Sequence, residues 1–122
     1  MTGSKKTITR GSQLTRQYLE LIHRHIDDVI SGQTAEFMKL HQAAAMLYVS
    51  HKHLTDSVQK ETGHHPCYFY DAAIIEKAKH LLTTTTASAA HIAFLLTYDP
   101  SNFSKFFKKW TGCTPGQWRA GK

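Results

Sequence analysis

Residues 50–54 read Ser-His-Lys-His-Leu, and the two imidazoles flanking Lys52 are the first groups in the chain that could do chemistry. A histidine pair on a helix holds a metal when its members are four apart, because that spacing puts both rings on one face. His51 and His53 are two apart, which turns them about 200° from each other. His23, His25, His64 and His65 fall on different expected elements, with no HExxH and no cysteine pair at zinc spacing. No glycine-rich phosphate loop and no nucleophile elbow occurs. No metal, no cofactor and no catalytic residue is expected, and the chain is not expected to be an enzyme. What the stretch does carry is charge and hydrogen-bonding capacity, which suits binding.

The composition points the same way. The chain has 122 residues, 41% hydrophobic and 20% charged, which is enough for one compact domain or two very small ones sharing a helix. Fifteen Lys and Arg against nine Asp and Glu give a formal charge of +6. A domain this basic has acidic partners, with nucleic acid ahead of an anionic membrane, and the plain alternative is a basic protein with no polyanionic partner. No apolar run approaches the roughly 20 residues of a membrane helix. The N-terminal MTGSKKTITRGSQ lacks the apolar segment of a secretory signal. Cys67 and Cys113 form no short motif and read as small apolar residues in a reducing compartment. A soluble, cytoplasmic domain without a membrane partner is expected.

The elements that must position these groups are helical. Residues 1–12 read as a flexible tail, and 13–36 as an N-terminal helix with its connection, Leu14, Tyr18, Leu21, Ile22, Ile26, Val29 and Ile30 falling on one face. "MKLHQAAAML" is a second helix. Ser50 caps a third over "HKHLTDSVQKET", which ends at Gly63. Pro66 opens a long helix to Leu82, about 25 Å in length, which "TTTT" breaks. Ser88 caps "AAHIAFLL", "TYDPS" is a turn, "NFSKFFKKW" closes at Gly112, and "TPGQWR" forms a short last helix. No stretch alternates with period two for long enough to be a strand.

A repeat organises these helices. Offset by 49 residues, "AAMLYVSHKHLTDSVQKETGHHPCYF" lies over "AFLLTYDPSNFSKFFKKWTGCTPGQW" without a gap. Identities occur at Ala44/Ala93, Leu47/Leu96, Lys60/Lys109, Thr62/Thr111, Gly63/Gly112 and Pro66/Pro115, where chance gives roughly one or two. Each copy is a short helix, a tight turn and a second helix closed by Thr-Gly, the layout of a helix-turn-helix. A helical bundle is the plain alternative. Against it, the second helices expose Lys52, Thr55 and Lys60 in one copy and Asn102, Lys105, Lys108 and Lys109 in the other. Phe103, Phe106, Phe107, Trp110 and Trp118 follow the apolar face and read as core rather than as platforms for stacked bases. The expected fold is all-α: two homeodomain-like helix-turn-helix units (37–65, and 83–122 with the terminal helix) joined by a linker helix over 66–82, about seven helices in all.

With "VSHKHLTDSVQKETG" and "AKHLL" in the first half and "HIAFLLTYDPSNFSKFFKKWTGCTPGQWR" in the second, the chain resembles, over about residues 37–119, the DNA-binding domain of AraC/XylS-type bacterial transcription regulators. The resemblance implies sequence-specific binding to double-stranded DNA, with two recognition helices in adjacent major grooves. It places His51, Lys52, Thr55 and Asp56 of the first helix, and Ser101, Asn102 and Lys105 of the second, against base edges, with Ser50 at the start of the first helix counted among the DNA-binding residues. Lys60, Lys108 and Lys109 either solvate an exposed face or, clustered on the groove side, meet phosphates. Asp56 either accepts from cytosine N4 or pairs with Lys52 or Lys60 along the helix. Further partners implied are RNA polymerase and a sensor or dimerisation domain absent from these 122 residues, so the chain is an excised domain or a small stand-alone regulator. A basic module that binds nucleic acid or a protein without sequence preference is the alternative.

The chain departs from the pattern in a second turn one residue shorter, in Thr97 where Gly is usual, and in Ile74 where Arg is common. These departures imply that the first unit reads sequence and the second mainly grips phosphate.

Overall fold

The first long helix shows how the sequence dictates packing. Leu14, Tyr18, Leu21, Ile22, Ile26 and Val29 recur at helical spacing, and all six are buried. The computed structural model describes residues 10–34 and 37–121. They form seven helices: α1 (Arg10–Ile30), α2 (Leu40–Met46), α3 (His51–Thr62), α4 (Pro66–Thr84), α5 (Ala89–Leu95), α6 (Pro100–Thr111) and α7 (Pro115–Arg119). Among the described residues there is no strand. The chain divides into two units, Met1–Arg24 with Met38–Tyr70 and His25–Phe37 with Asp71–Lys122.

In the first unit α2 packs on α3. Ala43 and Ala44 are both 1% exposed, and their small side chains let the helix axes approach until Leu54 and Val58 of α3 are fully enclosed. Tyr18 is buried too, and its hydroxyl donates to the Pro66 carbonyl at 3.0 Å, which satisfies that enclosed polar atom. Ser50 caps α3, its hydroxyl oxygen accepting from the His53 amide at 3.0 Å, and Gly63 ends the helix at φ 82°.

The second unit repeats the design. α5 packs on α6, with Ile92 and Ala93 buried against Phe103 and Phe107. α7 follows α6 and brings the Trp118 ring edge-on to Phe107, 6.3 Å between centroids. Arg119 then donates to the carbonyls of Leu82 and Thr85 at 3.1 Å each, covering open carbonyls at the end of α4. Lys77 pairs with Asp27 on the last turns of α1. Ile74 is 3% exposed, so the position where the family resemblance gives arginine belongs here to the core.

Several boundaries differ from the expectation. Arg10, Gly11 and Ser12 are helical and not part of a tail, while residues 1–9 of that tail lie outside the described residues. α4 does not stop at Leu82. Thr83 and Thr84 continue it, and the Thr84 and Thr85 hydroxyls return to the carbonyls of His80 and Leu81 at 2.8 and 2.7 Å. That back-bonding satisfies threonine inside the last turn, so β-branching alone did not break the helix. α6 begins at Pro100, because the Asp99 carboxylate accepts from the amides of Ser101 and Asn102 and Pro100 fits the first helical position.

The two turns match in detail, so the second is no looser than the first. The Val49 amide donates to the Ala44 carbonyl at 3.0 Å and the Tyr48 amide to Ala45 at 3.0 Å. Tyr98 and Thr97 repeat this with Ala93 at 2.8 Å and Phe94 at 2.9 Å. This is the Schellman arrangement, and its penultimate residue must be left-handed. Tyr48 and Thr97 sit there at φ 60° and 62°. A non-glycine residue in this region is strained by about 1–3 kcal/mol, and a β-branched one suffers most. Thr97 is exposed, so it loses no packing if replaced. Thr97→Gly should therefore raise stability by about 0.5–1 kcal/mol, the relieved strain exceeding the added flexibility of unfolded glycine. Urea unfolding reads the change, and an unchanged or lowered midpoint would refute it.

Candidate nucleic-acid interface

The interface is built by what each second helix buries. Leu54 and Val58 of α3 point into the first unit, which turns Lys52, Asp56, Gln59 and Lys60 outward on the opposite side. In α6 Phe103 and Phe107 do the same for Ser101, Lys105, Lys108 and Lys109. The repeat pairs these positions one to one, so two similar scaffolds present two different surfaces.

The outward face of α3 is nearly balanced. Lys52 Nζ lies 2.9 Å from Asp56 Oδ2, one helical turn on, with the side chains 86% and 60% exposed. An exposed pair of this kind stabilises a helix by about 0.3–0.5 kcal/mol and is easily exchanged for other partners. Lys60 adds one further positive charge, and His51 stands exposed at the start of the helix. The outward face of α6 has Lys105, Lys108 and Lys109 and no acid, with Ser101 and Asn102 exposed at its start.

Thr55 does not join this face. It is half-buried, and its hydroxyl oxygen is enclosed without a hydrogen-bond partner among the described residues. The structure thus gathers Lys52, Asp56 and Lys60 on one helix and Ser101, Lys105, Lys108 and Lys109 on the other, with Ser50, His51 and Asn102 exposed at the two helix starts and Thr55 set apart. Ser50 is engaged as the cap of α3.

Two residues behind the second helix escaped the sequence reading. Asp71 on α4 interacts electrostatically with both Lys109 and Tyr98. Burial raises its carboxyl above the usual range, and the Lys109 ammonium pulls it partly back. Burial also pushes the Tyr98 phenol up, with the Asp71 carboxylate adding to the effect. Tyr98 stacks on Phe106 at 5.4 Å, so the back of the lysine-bearing helix rests on an aromatic pair. The signal in the sequence was faint, since Asp71 follows Tyr70 inside a helix with no local partner of opposite charge.

Among the described residues no group of three or more His, Cys, Asp or Glu could hold a metal ion, and no helix is long and apolar enough to cross a membrane. The cationic face of α6 and the net positive face of α3 are suited to a polyanion.

Comparison with known proteins gives concordant results. A family model described as a helix-turn-helix domain matches residues 43–121. The C-terminal domain of AraT, a response regulator from Geobacillus stearothermophilus, is 28% identical. The match covers 93% of this chain and 89% of that one, with a TM-score of 0.77. A transcriptional regulator from Chromobacterium violaceum, described as having an AraC-type DNA-binding domain, is 21% identical over 92% of this chain and 95% of that one, at a TM-score of 0.78. The DNA-binding domain of AdpA, solved with a target DNA, is 21% identical over 90% and 89%, at 0.68. Curated proteins gave no match.

The half-buried carboxylate of Asp71 makes a test. Asp71 binds its proton more readily when folded than when unfolded, so its contribution to stability is full below pH 3.8 and is lost as pH rises through its raised folded value. Asp71→Asn lacks this titration. Its unfolding midpoint should gain on the parent's as pH rises from 3.8 through the raised folded value and then stay level. A gap that stays constant or narrows over that range would show that Lys109 outweighs burial.

Proposed function

The chain belongs to the AraC-type helix-turn-helix family of transcription regulators, and from that premise we propose a division of labour in which α3 reads bases while α6 holds the DNA backbone. Its activity is sequence-specific binding to double-stranded DNA. The observation that carries the division is the charge at matched outward positions: Lys52, Asp56 and Lys60 against Ser101, Lys105 and Lys109, with Lys108 added on the second helix. Selectivity needs donors and acceptors held in a fixed pattern, whereas affinity needs cations that release counterions from phosphates.

On α3, Lys52 can donate to guanine O6 or N7, and Asp56 can accept from cytosine N4 once their mutual pair opens. The pair is weak enough to open against a correct base pair. Asp56 repels acceptor-rich edges and nearby phosphates, so it adds discrimination at the expense of affinity. His51 and Ser50 stand beside the same edge at the helix start. On α6, Lys105, Lys108 and Lys109 meet phosphates, Asn102 has the amide that suits adenine N6 and N7, and the Ser101 hydroxyl can donate to N7 or accept from N6–H. Lys60 is the phosphate contact of α3. The two helices occupy adjacent major grooves of one duplex, as in paired helix-turn-helix readers. The similarity to a domain solved on its target DNA supports the choice of ligand. A regulator bound in this way acts in the cytoplasm through RNA polymerase, under a sensor or dimerisation domain.

Selection of a preferred site from random duplex, followed by competition at fixed salt, tests the division. Lys52→Ala should relax preference at one base pair by about 1–3 kcal/mol. Lys105→Ala should weaken preferred and random duplex alike and lower the salt slope by about one. Equal loss of preference in the two variants would sink the assignment of roles.

A further inference from the structure

Beside α3, and apart from its outward face, the first unit contains a polar groove of about 280 Å³ whose lining comes from three elements. Arg10, Gln13 and Gln17 line it from α1, Tyr48 from the turn and His53 from α3, over an apolar floor that includes Leu14. The three α1 residues are exposed and recur at i, i+3 and i+7, so they form one stripe next to the buried stripe of Leu14 and Tyr18. Every polar side chain of the lining can donate a hydrogen bond, and none is a carboxylate. Glu61 approaches α1 at Gly11 and does not line the groove.

Tyr48 distinguishes the turn beside this groove from its counterpart in the second unit. It holds a left-handed backbone at φ 60° and is 95% exposed, so its ring and phenol stand open to a ligand without leaving any core contact. Glycine would relax the turn, and the repeat puts the smaller Thr97 at the matching place. What sets the first turn apart from the second is thus the phenol, a hydrogen-bond donor at the rim of the groove. His53 fixes which ligand this is, because it is the neighbour of Lys52 and the repeat partner of Asn102, on the flank of a helix that enters DNA.

We propose that this groove receives a backbone phosphate of the duplex read by α3, with the Arg10 guanidinium as its charged ligand and Gln13, Gln17, Tyr48 and His53 donating around it. The inference rests on the DNA-binding reading above and adds α1 as a third contacting helix. Arginine supplies a planar fork suited to two phosphate oxygens, and amide and phenol groups are ordinary partners of the remaining ones. The contact carries no base information, so it contributes affinity and fixes the register of α3 along the groove.

The full chain tests this with operator and random duplexes across a salt series. Arg10→Ala should weaken both duplexes about five- to tenfold, lower the salt slope by about one, and leave base preference unchanged. Tyr48→Phe, which removes only the hydroxyl, should give a smaller loss of the same kind. A neutral methylphosphonate at one phosphate flanking the α3 half-site should weaken the parent and not weaken Arg10→Ala further. Arg10 and Tyr48 are exposed, and thermal melts of both variants should overlay the parent. Unchanged affinity and slope in Arg10→Ala would overturn the proposal, as would loss of base preference. Loss of inorganic phosphate binding with DNA affinity intact would equally overturn it, by showing a site for a free anion. A parent chain without sequence preference would sink the base-reading roles, while the random-duplex salt slope would still decide the Arg10 contact.

Discussion

Each hairpin turns on a single residue with positive φ, and most of the binding surface follows from it. With Tyr48 or Thr97 left-handed, the next amide reaches back to Ala44 or Ala93 and the first helix stops at a fixed residue. The second helix then leaves at a fixed angle and rotation. Alanine at the crossing lets the two helices close until Leu54 and Val58, or Phe103 and Phe107, are shut off from water. Burying those pairs rotates the opposite residues outward, so the turn decides which side chains a partner can meet. Residues that strain the turn are tolerated because the buried pairs over-determine it. Each enclosed Leu, Val or Phe contributes about 1.5–3 kcal/mol, against strain of about 1–3 kcal/mol.

On these matched scaffolds the charges are not matched, and that is where function separates from fold. The six identities of the repeat fall on alanine, leucine, the Thr-Gly close, proline and one lysine. Most of them serve packing, turns and caps. The outward positions diverge, with Asp56 facing the place that Lys105 holds in the second copy. An acid in the middle of one recognition helix lowers its general attraction for DNA. In the proposed division the lysines of the other helix restore it, so the pair can be selective without being weak.

Much of this was legible in the sequence because it is local. Ser50, Gly63 and Gly112 mark helix ends by chemistry acting over one turn, and the ends fall at those residues. The Lys52–Asp56 pair follows from i, i+4 spacing. Other features depend on partners distant in the chain. That Thr55 turns its hydroxyl inward depends on what packs beside α3, and that Asp71 meets Lys109 depends on how α4 lies against α6. The left-handed Tyr48 and Thr97 are a case of tertiary packing overriding residue preference. The groove at Arg10 joins residues 10–17 to 48–53, and its α1 members look like ordinary solvent-facing polar groups. The early start of α6 was a missed local signal, for Asp-Pro-Ser is itself a cap followed by a favoured first residue.

The two caps bear on how each helix can approach DNA. A helix start attracts phosphate through its free amides and the positive end of its dipole. At α6 the Asp99 carboxylate accepts from both Ser101 and Asn102, which consumes two of those amides and sets a negative charge on the end. In the proposed complex phosphate is repelled there and meets Lys105, Lys108 and Lys109 instead, further along the helix. At α3 the cap is the neutral Ser50, which occupies only the His53 amide, so the start of the helix stays open to an anion or a base edge. The first helix is thereby suited to lead with its N-terminal turn, where His51 and Lys52 stand. The second is suited to lie along the backbone on its middle and last turns. A difference of one capping residue thus reinforces the division that the outward charges set up.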